Sequence, residues 1–214
     1  MSDVYIVEAV RTPVGKYKGS LAGVRADHLG AHVLNALVTR AGIRPEEVSD
    51  VLFGCVTQVG EQSANIARTA LLGAGWPVTI PGLTIDRKCG SGEVAVHVGA
   101  GLIAAGSADV VVAGGAENMS RVRMGGNREI YGEAFGWLAA ERYELTSQGE
   151  AAERVAEHWK LSRETLDAFA VRSHQKAAAA AEAGYFTREI APVPVNDLKD
   201  KDWAEPTVTL FSAD

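Results

Sequence analysis

The sequence predicts an α/β protein: a mostly parallel or mixed sheet flanked by helices, followed by an inserted loop subdomain. Three observations carry this expectation. Over the first 118 residues, short strand-like runs alternate with helix-length segments through short connections, the pattern that builds parallel sheets. The runs Val51-Leu52-Phe53-Gly54-Cys55-Val56 and Val110-Val111-Val112-Ala113 are apolar almost throughout, as strands covered on both faces are. Beyond Gly115 the texture changes to a Gly-, Arg- and aromatic-rich stretch and then to two helical segments.

Taken in order, Val4-Tyr5-Ile6-Val7 is short and β-branched, which reads as a strand. Asp27 is the expected N-cap of a helix running to about Arg40 and stopped at Gly42. The Val51 run is a buried strand, and Ser63 to Leu72 a helix ending in Gly73-Ala74-Gly75-Trp76-Pro77. Leu83-Thr84-Ile85 leads into the segment that carries Cys89, whose apolar continuation, Val94 to Ala105, reads as a buried helix. Val110 to Ala113 closes the core. Further on, Glu150 to Trp159 and Ser162 to Ala183 read as helices, the second with Ser162 as cap and Gly184 as stop. The tail from Ile190 to Asp214 reads as extended. The expected division is 1–118 for the core and 119–214 for the subdomain.

Composition narrows the function classes. The 214 residues are 47% apolar, enough for a substantial core. A net charge of −6, from 21 basic and 27 acidic side chains without blocks of one sign, argues against nucleic acid as the main partner. No window approaches a membrane span, and Met1-Ser2-Asp3-Val4 lacks the regions of a signal peptide. A cytoplasmic protein without membrane contact is therefore expected. The two cysteines, Cys55 and Cys89, have neither disulfide-framework nor metal-ligand spacing, so no metal site is expected.

Cys89 is the candidate nucleophile. It sits in Thr84-Ile85-Asp86-Arg87-Lys88-Cys89-Gly90-Ser91-Gly92, where a strand hands over to a helix. A helix N-terminus offers unpaired N–H groups and partial positive charge, which favour a thiolate. Arg87 and Lys88 would push the same way if they face the sulfur. Glycines on its C-terminal side admit a carbonyl close to backbone donors, the arrangement acyl transfer needs. A rival reading exists, because Gly90-Ser91-Gly92-Glu93-Val94-Ala95 fits G-x-G-x-x-A between two strands, with Glu117 as a ribose-binding acid. Against it, that acid follows Gly114-Gly115 and comes late, and a dinucleotide site has no use for the cysteine.

The five histidines yield no base. His97 lies eight residues past Cys89, about 12 Å along a helix at 1.5 Å per residue. Its i,i+4 neighbour Glu93 makes a buried pair or an interface contact the expected role. His28 and His32, also i,i+4, read as a solvated helix face. His158 and His174 have surface-type neighbours.

Beyond this, the residues resemble the thiolases. Cys89-Gly90-Ser91-Gly92 with its apolar helix, followed by Ala108-Asp109-Val110-Val111-Val112-Ala113-Gly114-Gly115-Ala116-Glu117-Asn118-Met119-Ser120, is similar to that family's nucleophile region. Val7 to Gly15, Gly54 to Gln62 with Asn65-Ile66-Ala67-Arg68, Ser147 to Glu153, and the Ser162 to His174 region resemble further blocks in order. The resemblance implies one half of a layered αβαβα fold. It implies an acyltransferase that forms or cleaves 3-ketoacyl-CoA, with Cys89 as acyl acceptor. Cys89 and Gly90 at the oxyanion hole, and Gly114, Gly115 and Met119 at the pocket floor, would shape the site, with Ser147 and Gln148 toward the substrate. Acyl-CoA and CoA would be the small-molecule partners, no cofactor would be needed, and a homodimer or homotetramer is implied. A Gly-His-Pro histidine and a Cys-x-Gly-Gly-Gly cysteine, which the family's second half supplies, do not occur here. The expectation is therefore an N-terminal portion whose C-terminal half is a missing partner, inactive by itself. A related condensing enzyme of the same fold and a non-catalytic CoA- or lipid-binding relative are the alternatives. Gln148-Gly149 stands where the family often has Met-Gly, which leaves chain-length preference open.

Overall fold

Alternate residues of one short strand organise the core, so the architecture is best built outward from it. The computed structural model describes residues 3–128, 132 and 134–200. Strand β1 (Asp50–Gly54) is flanked by β2 (Gly82–Ile85) and β3 (Val111–Gly115), giving the order β2-β1-β3 with both pairings parallel. Phe53 points to one face, where its ring lies against Gly30 of helix α1 (Ala26–Ala41) beside Ala70 of α2 (Ile66–Gly73). Leu52 points to the other, beside Gly99 of α3 (Ser91–Ala104). A period-two strand with helices on both faces has to be apolar at every position, and Val51 to Gly54 are all buried. Val51, Phe53 and Cys55 join Leu34, Val38, Ile66, Leu71 and Trp76 in the main apolar cluster.

Several boundaries differ from the sequence expectation. The cap of α1 is Arg25, and Asp27 instead sits in the first turn, bonded to the Arg25 guanidinium at 3.0 Å. Gly42 does end this helix, in the left-handed region at φ 68°. Helix α2 starts later than Ser63, because Gly60–Gln62 forms a 3₁₀ turn and Asn65 is the cap that accepts from Arg68 N–H. Val4 to Val7 is not a strand: Tyr5, Ile6 and Val7 are 77%, 83% and 76% exposed. A β-branched run forms a strand only beside a partner, and among the described residues none lies along this one. Helix α3 buries a single stripe, Ser91, Ala95 and Gly99, and leaves Val96 exposed. The expected all-round burial is thus not met within this chain.

The chain divides into two compact units, Met1–Ile130 with Glu189–Asp214, and Tyr131–Arg188. The border expected at 118/119 falls later because the loop after β3 packs on the core unit. There Arg121 pairs with Glu61 at 2.6 Å and with Asp200 at 2.9 Å. The chain returns at Glu189, and Ile190 bridges Arg11. The described part of the tail is not wholly extended, since Val195–Leu198 forms a short helix, α7; residues 201–214 of that expectation lie outside the described ones. The second unit holds α4 (Trp137–Ala140), α5 (Gln148–His158) and α6 (Arg163–Glu182). Ser162 caps α6 as expected, accepting from Thr165 N–H, and Gly184 follows its end at φ 75°.

Candidate active site

Parallel strands place their carboxyl ends together, and that end of an open α/β sheet is where ligands bind. Gly54 is level with Ile85 on one side and Gly115 on the other. The turn that carries Cys89 leaves β2 from this rim and enters α3. Gly90 caps α3, and Cys89, one residue earlier, is exposed. A cysteine at a strand–turn–helix junction, open to solvent, is where the sequence placed the nucleophile.

The helix start reaches the rim because side chains are missing there. A Cβ on Gly54 would meet Gly92 N at 2.6 Å and Ser91 C at 2.7 Å. A Cβ on Gly115 would meet Gly54 O at 2.7 Å. Gly114 and Gly115 also line a cavity of about 210 Å³ with Arg11, Phe53, Glu117 and Leu34 of α1, on the α1 side of the sheet; Cys89 does not line it. Met119 is half-exposed on the loop that follows.

Two expectations about the Cys89 surroundings change. The Lys88 ammonium turns to Asp86, 2.6 Å away, and holds that carboxyl below the usual carboxylate range. Its charge is therefore spent on a neighbour rather than directed at the sulfur. The Gly90 N–H donates to Arg87 O at 3.1 Å and the Ser91 N–H to Lys88 O at 3.0 Å. Gly90 thus brings no side chain to the turn, while its N–H is engaged within it. The same bonds remove two of the donors that a pyrophosphate would require. Glu117, the acid of the dinucleotide reading, accepts from Thr57 N–H at 3.0 Å.

A buried polar web escaped the sequence reading. Gln62, 1% exposed, donates to Thr57 O and accepts from Asn118 N–H. The Asn118 amide donates to Leu21 O and Val24 O at 2.9 and 2.7 Å. Three loops at the rim are locked together in this way. Buried polar side chains need such partners, but no periodicity announces them. The only usable signal was an amide, Gln62, inside a glycine-flanked turn.

The other candidate residues differ from Cys89 in burial or in partners. Cys55 is fully buried in β1's continuation, and burial, with Glu117 and Asp86 adding to it, pushes its thiol up to about 12. His28 and His32 are partly buried rather than solvated, because α1 packs here against the returning chain: His28 Nδ1 lies 3.1 Å from Leu198 O. Glu93 and His97 are 3.8 Å apart but largely exposed, so the buried-pair option fails. Among the described residues no cluster of three or more metal-type side chains occurs. None of the described helices is long and apolar enough to cross a membrane. In the second unit Ser147 caps α5 by accepting from Glu150 N–H, and Gln148 opens that helix.

An α/β protein with a cysteine exposed at the carboxyl rim of a parallel sheet is thereby defined. Residues 4–210 match the family model for the thiolase N-terminal domain, and the chain belongs to the thiolase family. A steroid 3-ketoacyl-CoA thiolase of Mycobacterium tuberculosis is 42% identical over 203 residues, which cover 90% of this chain and 50% of that protein. The β-ketoadipyl-CoA thiolase of Pseudomonas putida is 42% identical over 220 residues, 96% of this chain and 55% of that one. A 3-oxoadipyl-CoA/3-oxo-5,6-dehydrosuberyl-CoA thiolase of Escherichia coli is 40% identical over 214 residues, 93% and 53%. The chain spans about half the length of these relatives.

Proposed function

We propose that this chain is the nucleophile-bearing part of a 3-ketoacyl-CoA thiolase. The observation that carries the reading is the exposed Cys89 on a tight turn at the carboxyl rim of the sheet, where Gly54, lacking a side chain, lets the start of α3 approach closely. In the cleavage direction the Cys89 sulfur attacks the 3-keto carbon. The tetrahedral oxyanion is met by backbone N–H groups, that of Cys89 among them. Collapse breaks the bond between C2 and C3, leaving an acyl group on sulfur. The departing carbanion takes a proton and leaves as acetyl-CoA. The thiol of a second CoA then accepts the acyl group, and its proton returns to the enzyme. Condensation is the reverse.

The thioester is the activated group throughout, so the proposal includes no metal or redox cofactor. The names of the relatives favour 3-ketoacyl chains larger than acetoacetyl as substrates. The remaining half of the family's length would supply the acid/base groups; His97, the histidine on α3 itself, faces Glu93 at 3.8 Å. Met119, Ser147 and Gln148 are proposed to line the acyl-CoA path. A homodimer or homotetramer in the cytoplasm completes the reading.

A protection experiment tests it. Acetyl-CoA should shield Cys89 from iodoacetamide and leave a mass-detectable acyl group on the Cys89 peptide, whereas NAD(H) should do neither. Protection by NAD(H) with no acyl-Cys89 would sink the thiolase reading in favour of a dinucleotide site.

A further inference from the structure

We infer that Ser91 is a positioning residue for the Cys89 nucleophile: its hydroxyl clamps the turn and sets the orientation of the Cys89 peptide. This rests on the reading of Cys89 as nucleophile.

The turn is strained. Lys88, directly before the nucleophile, has φ 48°, a left-handed value that glycine adopts freely and a residue with a Cβ does not. The Gly90 N–H to Arg87 O bond makes Lys88 the second residue of a four-residue turn. A positive φ at that place belongs to the primed turn types, which glycine, asparagine and aspartate dominate. Such strain persists only where the surroundings over-determine it.

Two side chains do so here: Asp86 Oδ1 accepts the Lys88 N–H at 2.9 Å, and Ser91 ties the turn from its helix side. Ser91 Oγ accepts the Arg87 N–H at 2.8 Å and donates to the Lys88 carbonyl at 2.6 Å. The hydroxyl therefore holds the peptide before Arg87 and the peptide after Lys88 together. Ser91 is 4% exposed, so water does not compete freely for these groups. Its Cβ is seated on Gly54, where any added side chain would sit 2.8 Å away. Strand β1 thus fixes where the clamp stands.

The consequence reaches the chemistry through peptide planarity. The Lys88 C=O and the Cys89 N–H belong to one trans peptide and point in opposite directions. Pinning the carbonyl toward Ser91 aims the Cys89 N–H the other way, away from the helix turn. In the proposed mechanism that N–H is an oxyanion donor, and the same peptide sets the direction of the Cys89 side chain. Without the hydroxyl, the Lys88 carbonyl is left with the Ser91 N–H bond, at 3.0 Å, and the strained peptide is held less firmly.

The experiment uses the chain supplied with the second half of the family's length, as parent, Ser91→Ala, Ser91→Thr and Ser91→Ala/Lys88→Gly. Cys89 alkylation by iodoacetamide is followed by peptide mapping. Thermal melting, and kcat and KM for acetoacetyl-CoA and for a longer 3-ketoacyl-CoA, are measured alongside. Ser91→Ala should slow alkylation severalfold and lower kcat by roughly tenfold or more, with KM within about twofold. Ser91→Thr, which keeps the hydroxyl, should hold near the parent. The double variant should recover part of the loss, because glycine accepts the turn without a clamp. A Ser91→Ala protein with a lower melting temperature but parental alkylation and kcat would overturn the inference. So would a double variant that is no better than Ser91→Ala. If the parent forms no acyl-Cys89 while Ser91→Ala still slows alkylation, the functional reading fails and the clamp stands.

Discussion

At the residue scale the two cysteines separate cleanly. Cys89 is exposed, whereas Cys55 is fully buried and its thiol is raised to about 12. The thiolate is the reactive form, so limiting iodoacetamide should label Cys89 first. Peptide mapping that finds Cys55 labelled first in folded protein would contradict the assignment. Cys89→Ser should keep the fold and lose the acyl adduct on mass analysis. The placement of Cys89 on an exposed strand-to-helix turn was readable in the sequence because its signals are local: a strand end, a glycine pair and an apolar helix. The direction of the Lys88 ammonium and the engagement of the Gly90 N–H were not readable. Each depends on which neighbour the turn brings within bonding distance.

At the element scale the site depends on how closely α3 approaches β1. Gly54→Ala would force its methyl into the Ser91–Gly92 backbone, which has no flexible end to move aside. A cost of about 1–3 kcal/mol is expected for such overpacking, with a fall in melting temperature and slower alkylation of Cys89. At the other end of β1, burial holds the Asp50 carboxyl above the usual carboxylate range, against the Val51 N–H bond that lowers it. An acid with a raised folded pKa adds stability below its unfolded value, about 3.9. That stability is lost as pH rises through the folded value. Asp50→Asn should therefore raise the melting temperature at pH 7, and the gain should shrink below about pH 4. A parental melting temperature at pH 7 would show that the burial costs nothing. The helices that sequence reading placed well, α1, α5 and α6, have strong local stops or caps such as Gly42, Ser147 and Ser162. Asp27 misled because an Asx residue near a helix start fits the cap and the first turn equally well until its partner, Arg25, is known.

At the scale of the whole molecule, much of the chain's apolar surface has no cover among the described residues. Ile6 and Val7 are exposed, and so is Val96 on α3. Exposed patches of this kind mark interfaces or aggregation sites. The 214-residue chain by itself should show no thiolase turnover and should aggregate. Adding the second half, covalently or as a separate chain, should restore solubility and turnover together. Losing a general base costs about 10²–10⁴ in rate, and lost oxyanion stabilisation about 10²–10³. Measurable acetoacetyl-CoA cleavage by the purified chain, abolished by Cys89→Ala, would show that the base resides here after all.

The sequence by itself determined the class of fold, the succession of β1, β2 and β3 along the chain and the turn that carries Cys89. Alternating element lengths, wholly apolar strands and a glycine-flanked cysteine are each legible within a dozen residues. Tertiary structure alone decided the rest. It left Val4–Val7 without a strand partner among the described residues, returned the chain at Glu189 to the core unit, and wove Gln62, Asn118 and Thr57 into one polar web. It also set Ser91 on Gly54 as the clamp beneath Cys89. These features join residues that are distant in sequence. They depend on which backbone groups face each other after folding, and no local pattern of hydrophobicity or propensity encodes that.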